Sequence, residues 1–121
     1  MVHLDNLKQV NDAHGHAQGD ALIRSAADCI RRAVRKSDAV ARVGGDEFAI
    51  LSIECNAAAS EATFKNVVDA LSSMGISASV GKAIRDPRLG LIEAMAEADR
   101  AMYSAKAQRR TLERALLTSR R

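Results

Sequence analysis

Two glycines and two acids stand together at residues 41–50, ARVGGDEFAI. Gly44 and Gly45 lie between two short apolar runs, where they predict a two-residue hairpin turn. Glycine in such a turn permits positive φ and lets another group approach the backbone. The acids that follow, Asp46 and Glu47, are hard oxygen donors of the kind that hold divalent cations. Solvated acids on an ordinary hairpin are the alternative.

Hydrophobic spacing predicts the elements that position these acids. The predicted order is a strand over Met1–Leu4, a polar loop from Asp5, a helix over Gly19–Arg35, strands over Ala39–Val43 and Phe48–Ile53, a helix over Ser60–Met74, a strand over Ile76–Ile84 and a last helix from Leu91. Ser60 is the candidate N-cap of the second helix, and Gly75 ends that helix. This order favours an α+β fold, with helices packed on a mixed or largely antiparallel sheet.

The composition is that of one domain. The chain has 121 residues, of which 47% are hydrophobic, and this is enough to form a core. Cys29 and Cys55 lack the close spacing of a zinc site or a redox pair, so both are expected to be reduced core or boundary residues. No apolar run is long enough to cross a bilayer, and the first residues lack the order of a secretory signal. We therefore expect a cytoplasmic location.

Basic residues concentrate at the end of the chain. The net charge is +3, and Glu113 is the single acid within residues 100–121. A basic tail can bind nucleic acid or a membrane surface, but a solvated helix end explains it more simply. Three aromatic residues are also too few for a platform that stacks single-stranded nucleic acid. No nucleic-acid partner is expected.

Four motifs in a fixed order carry a resemblance to a known family. HLDNLKQVNDAHGHAQGD, RKSDAVARVGGDEF, ISASVGKA and ADRAMYSAK together resemble the GGDEF domain of diguanylate cyclases, which condense two GTP to cyclic di-GMP and release pyrophosphate. The resemblance implies a nucleotidyl-cyclase-like (ferredoxin-like) sandwich with a central, mostly antiparallel sheet. Residues 1–110 would form the GGDEF domain and residues 111–121 a basic, helical tail. The family's first helix has no counterpart before Met1, so a fragment or a shortened gene start is expected.

The resemblance implies a Mg²⁺ or Mn²⁺ site at the hairpin. Asp46 would bind the metal and help to deprotonate the attacking hydroxyl, with Glu47 as a second acid and the backbone oxygen of Leu4 as a further ligand. The family's first metal ligand is an aspartate two residues before Asp5, and this chain has His3 there. Imidazole is a poor magnesium ligand and suits zinc, nickel or copper better. The sequence therefore predicts a degenerate metal position at His3.

The same resemblance places the guanine base of the substrate against Asn11 and Asp20. A carboxylate accepts from guanine N1 and N2 while an amide serves the remaining edge. As structural alternatives, Asn11 closes a turn and Asp20 caps the following helix. His16 matches a position near the substrate, and Leu7 replaces the usual Phe beside the guanine.

Cations at three positions match phosphate contacts of the family. Lys8 corresponds to a contact with the triphosphate. Lys106 and Arg110 lie four residues apart and therefore on one face of a helix, although cations late in a helix are favourable in any case. The turn at Gly44 and Gly45 would let the substrate approach.

A further match lies just before the hairpin. Arg35 and Asp38 form the Arg-x-x-Asp pattern of the family's product-inhibition site, which binds cyclic di-GMP. An arginine fork can grip a phosphate or the Hoogsteen edge of guanine, and an aspartate can accept from guanine N1 and N2. A helix-terminal arginine with a turn aspartate is the structural alternative.

Two hypotheses of different class remain. The first is a diguanylate cyclase domain that acts as a homodimer on GTP, downstream of a sensory or receiver domain. The second is a degenerate, non-catalytic GGDEF module that binds GTP or cyclic di-GMP and signals by protein contact. Arg109 stands where the family commonly has Gly, and RTLERALLTSRR is expected to continue the last helix.

Overall fold

An antiparallel sheet of four strands lies at the centre of the described part of the chain. The structure is a computed structural model and describes residues 1–53 and 56–120. Its elements are β1 (Val2–Leu4), α1 (Leu7–His14), α2 (His16–Ala33), β2 (Ala39–Arg42), β3 (Glu47–Leu51), α3 (Ala57–Ser73), β4 (Ala78–Val80) and α4 (Gly90–Ser119). The strand order is β2-β3-β1-β4, and neighbouring strands are antiparallel. This arrangement confirms the predicted α+β fold.

One face of the sheet forms the core against α2 and α3. Val2 of β1 pairs with Phe48 of β3 and with Val80 of β4. The buried cluster on this face consists of Val2, Leu4, Ala26, Cys29, Ile30, Phe48, Val67, Leu71 and Ile76. Of the two predicted alternatives, core or boundary, Cys29 lies in the core, whereas Cys55 lies outside the described residues.

The other face of the sheet carries polar side chains and is crossed by α4. His3 pairs with Glu47 and with Ser79, and because side chains alternate along a strand, these three point away from the core. Beyond β4, a Cβ atom on Gly81 would lie 2.2 Å from the backbone nitrogen of Met102. The helix therefore passes directly over the backbone at this position. It continues to Ser119, as the sequence predicts.

The prediction of a loop after Asp5 is wrong. Residues 7–14 form helix α1, and α2 begins at His16 and ends at Ala33, in place of the predicted Gly19–Arg35. Leu7, Val10 and Asn11 are half-buried and recur at helical spacing, so α1 has an inner face against α2 although most of its residues are polar. Gly15, with φ of 88°, separates the two helices in a conformation that suits glycine.

The hairpin also differs from its prediction. Strand β2 ends and β3 begins one residue earlier than predicted, so that residues 43–46 form the loop. Positive φ among the described glycines occurs at positions 15, 75 and 90. Gly44 and Gly45 therefore do not serve a positive-φ turn. Instead, the Arg42 side chain donates to the carbonyl oxygens of Gly44 and Gly45 and fixes the loop from one side. A Cβ atom on Gly45 would meet nothing within 4 Å, so the other side is open.

Two further boundaries are corrected. Helix α3 begins at Ala57 with Asn56 as its N-cap, because the Asn56 Oδ1 accepts from the Ala59 N–H at 2.8 Å; the predicted cap at Ser60 is wrong. Gly75 ends this helix as predicted, with φ of 69°. Strand β4 covers Ala78–Val80 in place of the predicted Ile76–Ile84. None of the described helices combines the length and the apolarity that crossing a membrane requires.

Candidate active site

The pairing of β1 with β3 brings His3 to the acids of the hairpin. Leu4 donates its backbone N–H to the carbonyl oxygen of Asp46 at 2.8 Å. The His3 Nε2 lies 2.9 Å from the Asp46 Oδ2, a hydrogen-bonding distance. One ligand atom from each of His3, Asp46 and Glu47 lies within 4.8 Å of the others. The structure thus places these three predicted residues in one cluster.

Tyr103 of α4 joins this cluster from the opposite side. Its hydroxyl donates to the Glu47 Oε1 at 3.3 Å, and the negative charge of Glu47 raises the pKa of the phenol. Sequence analysis did not select Tyr103. The available signal was its place one helical turn before Lys106 in ADRAMYSAK.

Asp5 is held behind His3 by a dense set of donors. Ser79 and Ser77 donate their hydroxyls to its two carboxylate oxygens at 2.8 and 3.1 Å, and Arg109 of α4 donates to the same carboxylate. Arg109 also donates to the Ser77 Oγ at 2.9 Å. Burial alone would raise the pKa of Asp5, but the Ser79 hydrogen bond, the Arg109 charge and the Ser77 hydrogen bond together hold it below its ordinary value.

The Asp5 carboxylate of this network lies beside the imidazole of His3. The His3 Nδ1 lies 3.5 Å from the Asp5 Oδ1 and makes no hydrogen bond within the described ranges. His3 is 8% exposed. The imidazole therefore stands between two carboxylates, with Asp5 behind it and Asp46 in front.

A cleft opens beside the hairpin, between its loop, α1 and the start of α2. It is an open depression with a volume of about 400 Å³. Its lining residues are Leu7, Lys8, Asn11, Asp12, His16, Gly45 and Asp46. Five of the predicted site residues, Lys8, Asn11, His16, Gly45 and Asp46, thus meet at one surface. Asp12 was not selected from the sequence, although it follows Asn11 directly.

Asn11 lies at the inner end of this cleft, against α2. A Cβ atom on Gly19 would lie 1.7 Å from the Asn11 Oδ1, so the absence of a side chain at Gly19 makes room for the amide. The Asn11 Oδ1 is buried and has no hydrogen-bond partner among the described residues. Buried polar groups without a partner are rare in folded proteins, and this oxygen is packed against the backbone of α2 at Gly19.

Other predicted residues lie outside the cleft lining. Asp20 is exposed on α2, four residues after His16 and therefore on the same helix face. Lys106 is half-buried on α4, one turn from Tyr103 and one turn from Arg109, whereas Arg110 is exposed. Gly44 precedes the lining residue Gly45 in the same loop.

Arg35 and Asp38 bind each other after the end of α2. The Arg35 backbone N–H donates to one oxygen of Asp38 at 2.9 Å, and its guanidinium donates to the other at 3.2 Å. Burial would raise the pKa of Asp38, but these bonds and one from Ser52 keep it below its ordinary value. Asp38 is 2% exposed, whereas the Arg35 side chain is about half exposed, at 47%. The guanidinium is thus the more accessible member of the pair.

The donor set of the cluster does not fit Mg²⁺. Magnesium requires an octahedron of oxygen ligands and retains several waters, whereas the most buried donor here is the imidazole of His3. The carboxylates of Asp46 and Glu47 alone could attract a hard cation, but the first already contacts His3 and the second accepts from Tyr103. The cluster can hold a divalent ion, yet its nitrogen donor is foreign to a magnesium site.

Comparison with known proteins places the chain in a family. The family model described as "Diguanylate cyclase, GGDEF domain" matches residues 1–112. The chain is 32% identical over 116 residues to the diguanylate cyclase DgcS of Shewanella oneidensis, covering 91% of this chain and 39% of that protein. It is 44% identical over 121 residues to the bifunctional diguanylate cyclase/cyclic di-GMP phosphodiesterase MucR of Pseudomonas aeruginosa, covering 91% of this chain and 17% of that protein. The chain thus spans less than half the length of these curated relatives.

Solved structures agree with the sequence matches. The GGDEF domain of YfiN (TpbB) from Pseudomonas aeruginosa has a TM-score of 0.76 at 35% identity, covering 88% of this chain and 73% of that one. The GGDEF domain of DgcB from Caulobacter crescentus, solved in complex with c-di-GMP, has a TM-score of 0.76 at 30% identity, covering 88% of this chain and 70% of that one. The four ordered motifs, the sheet and the hairpin cluster therefore have one common explanation: the chain belongs to the GGDEF domain family of diguanylate cyclases.

Proposed function

We propose that this chain is the nucleotidyltransferase domain of a diguanylate cyclase, which condenses two GTP to cyclic di-GMP and releases pyrophosphate. The observation that carries the proposal is the cleft, which gathers Lys8, Asn11, His16 and Gly45 beside Asp46. Recognition groups and a carboxylate thus share one surface of a size suited to a small ligand. Residues 1–110 form the domain in this proposal, and residues 111–121 form its basic, helical extension.

The guanine base binds at the inner end of the cleft in this proposal. Asn11 lines the cleft, and an amide offers both a donor and an acceptor to the edge of a base. Asp20 lies four residues after His16 on α2 and accepts from guanine N1 and N2 when its side chain turns toward the cleft. Adenine has an acceptor at N1, no amino group at C2 and a donor amino group in place of O6, so this pair discriminates GTP from ATP.

The triphosphate is bound by cations and by the open side of the loop. Lys8 lines the cleft, and a Lys ammonium is a compact charge suited to phosphate oxygens. Lys106 and Arg110 of α4 supply further positive charge. Since Gly45 has free space where a side chain would stand, the phosphates can approach the loop backbone closely.

The bond-forming step takes place beside the hairpin acids. The 3′-oxygen of one GTP attacks the α-phosphorus of the other, the bond from that phosphorus to the bridging oxygen breaks, and pyrophosphate leaves. Asp46 receives the proton of the 3′-hydroxyl, with Glu47 beside it as the second acid. Proton transfer to a positioned carboxylate is a common contribution to such steps.

Each copy binds one GTP in this scheme, so the product forms in a homodimer. A GTP-consuming domain is expected in the cytoplasm, and the length of the relatives is consistent with an upstream sensory or receiver domain. Arg35 and Asp38 provide the product-inhibition site, with the accessible guanidinium of Arg35 as the group that meets cyclic di-GMP.

A second candidate function is a non-catalytic GGDEF module that binds GTP or cyclic di-GMP and signals by protein contact. The contact between His3 and Asp46 favours this alternative, because it engages the carboxylate that the reaction uses. Both candidates require nucleotide binding, and they differ in turnover.

Product formation from GTP separates the two candidates. The parent chain is incubated with GTP or ATP and with Mg²⁺, Mn²⁺ or Zn²⁺, and cyclic dinucleotide is measured by mass spectrometry. We expect cyclic di-GMP from GTP, and a loss of about 10²–10³-fold in Asp46→Asn, as for removal of one electrostatic contact to the transition state. Asp28→Asn, an exposed change on α2, is the matched control.

If GTP binds but no divalent ion yields product, the non-catalytic alternative replaces the cyclase. If GTP does not bind, the cyclase is wrong, and if cyclic di-GMP does not bind either, both candidates are wrong.

A further inference from the structure

We propose that His3, Asp46 and Glu47 form a transition-metal site that prefers an ion such as Zn²⁺ to Mg²⁺. The inference deepens the proposed function, because it names the metal of the same site. It rests on that function for the use of the ion in catalysis but not for its binding. The two can therefore fail separately.

The donor atoms of the cluster are of the types that bind transition metals. One imidazole nitrogen and two carboxylates lie within 4.8 Å of one another. Imidazole with carboxylate is a donor set for zinc and other late first-row ions, whereas magnesium takes oxygen ligands and water. An ion bound here would replace the present contact between the His3 Nε2 and the Asp46 Oδ2, which are 2.9 Å apart.

The surroundings of His3 are also those of a histidine that can bind a metal. A histidine that binds a metal through one nitrogen usually directs the other toward a carboxylate, which fixes the ring and makes the ligand more basic. Here the Nδ1 lies 3.5 Å from the Asp5 Oδ1 and has no hydrogen-bond partner among the described residues. His3 is 8% exposed. This buried ring is aligned between a supporting carboxylate and the Asp46 carboxylate, as in a histidine metal site.

Asp5 is itself fixed, which makes the support rigid. Ser77, Ser79 and Arg109 donate to its carboxylate from β4 and α4. The arginine ties the metal cluster to the last helix, so Arg109 acts as a positioning residue rather than a ligand. A ligand that is oriented in advance by such contacts binds its metal more tightly.

The test is a titration of the chain with metal alone, in the absence of nucleotide. Zn²⁺ and Mg²⁺ are titrated separately by calorimetry, and the imidazole signals of His3, His14 and His16 are followed by NMR. We expect Zn²⁺ to bind at least about tenfold more tightly than Mg²⁺ and to shift the His3 signals. We also expect Asp46→Asn to weaken Zn²⁺ by at least about tenfold, the lower end of what losing a partner of a metal ligand costs.

His3→Asp is the complementary variant, and His14→Asp is its matched control. His3→Asp should lower the preference for Zn²⁺ over Mg²⁺, because it exchanges the nitrogen donor for a hard oxygen. His14→Asp makes the same chemical change at an exposed position at the end of α1 and should leave both affinities unchanged. Since Asp46 is partly exposed, Asp46→Asn keeps the test valid if His3→Asp does not fold.

Equal affinity for the two ions in the parent would overturn the proposal. So would Zn²⁺ binding that persists unchanged in Asp46→Asn, or that disappears in His14→Asp, because the ion would then be bound elsewhere.

Discussion

Gly19 and Asn11 couple helix α2 to the cleft at the scale of single residues. A Cβ atom at position 19 would lie 1.7 Å from the Asn11 Oδ1, so Gly19→Ala must displace the amide rather than the backbone. We expect the variant to fold and to lose about 1–3 kcal/mol of GTP binding, the cost of a lost partner in a buried polar contact. Calorimetry with GTP measures the loss, and urea unfolding checks the fold.

A double variant tests whether this effect passes through the amide. If it does, Gly19→Ala combined with Asn11→Ala should bind GTP no more weakly than Asn11→Ala alone, because both changes remove one interaction. If the two single variants' losses of GTP binding free energy add in full in the double variant, Gly19 acts on the cleft by another route.

Asp38 supports a prediction about pH. Its folded-state pKa lies below the ordinary value, so its contribution to stability is fully present above about pH 4 and is lost as the pH falls through the folded pKa. Asp38→Asn should therefore cost about 1–3 kcal/mol at pH 7 and less at pH 3. Urea midpoints of parent and variant at the two pH values give the comparison.

Asp28→Asn, on the exposed side of α2, is the control and should change little at either pH. If the difference in urea midpoint between parent and Asp38→Asn stays the same in acid, the buried carboxylate does not stabilise the fold through its charge.

Sequence motifs selected some residues of the candidate site and did not select others, for a physical reason. Lys8, Asn11 and Asp46 belong to local motifs, and the structure places them around one cleft. Tyr103 and its partner Glu47 are 56 positions apart, and Arg109 and its partner Asp5 are 104 apart. Such contacts depend on how α4 crosses the sheet, and no short pattern encodes that crossing.

At the scale of elements, α4 passes close to the backbone just after β4. A Cβ atom on Gly81 would lie 2.2 Å from the Met102 nitrogen and 2.3 Å from the Ala98 oxygen. Gly81→Ala must push the helix away from the sheet, because both obstacles are backbone atoms. Overpacking of this kind costs about 1–3 kcal/mol or more, which a shift in the urea midpoint measures.

Gly44→Ala is the matched control for this change. Its nearest neighbour would be the Glu47 Cβ at 3.5 Å, an ordinary contact, and its φ is not positive. We expect almost no change in stability. If Gly81→Ala were equally harmless, α4 would not pack against β4 as described.

The elements that the sequence predicted best are those with a strong apolar period. Helix α2 and the body of α4 have such a period, and both occur as predicted, apart from their ends. Helix α1 was missed because its residues are mostly polar and its inner face is narrow, so that only packing against α2 reveals it. The start of α3 was missed because Asn56 and Ser60 are both good cap residues, and the sequence alone did not rank them.

At the scale of the whole molecule, one face of the sheet is covered by α2 and α3, whereas α4 crosses only part of the other. An apolar groove of about 800 Å³ remains beside α4. Leu51 and Ile53 at the end of β3 and Leu91 and Met95 at the start of α4 line it and are each at least 40% exposed. The sequence predicted the apolar residues but not this uneven coverage, since it depends on where α4 lies across the sheet.

The proposed reaction requires two copies, and this makes activity depend on protein concentration. Since each copy binds one GTP, product formed per molecule of protein should rise with concentration and level off when the dimer is fully populated. The measurement is the initial rate of cyclic di-GMP formation at saturating GTP over a dilution series. A specific rate that is constant down to concentrations at which sedimentation shows only monomer would contradict the homodimer.

Selective binding of GTP in the cleft is the central claim, and calorimetry with GTP and ATP tests it most directly. We predict that the parent binds GTP at least about tenfold more tightly than ATP, equivalent to about 1.4 kcal/mol, and that Asn11→Ala lowers this preference. Equal affinity of the parent for the two nucleotides, or an undiminished preference in Asn11→Ala, would contradict it.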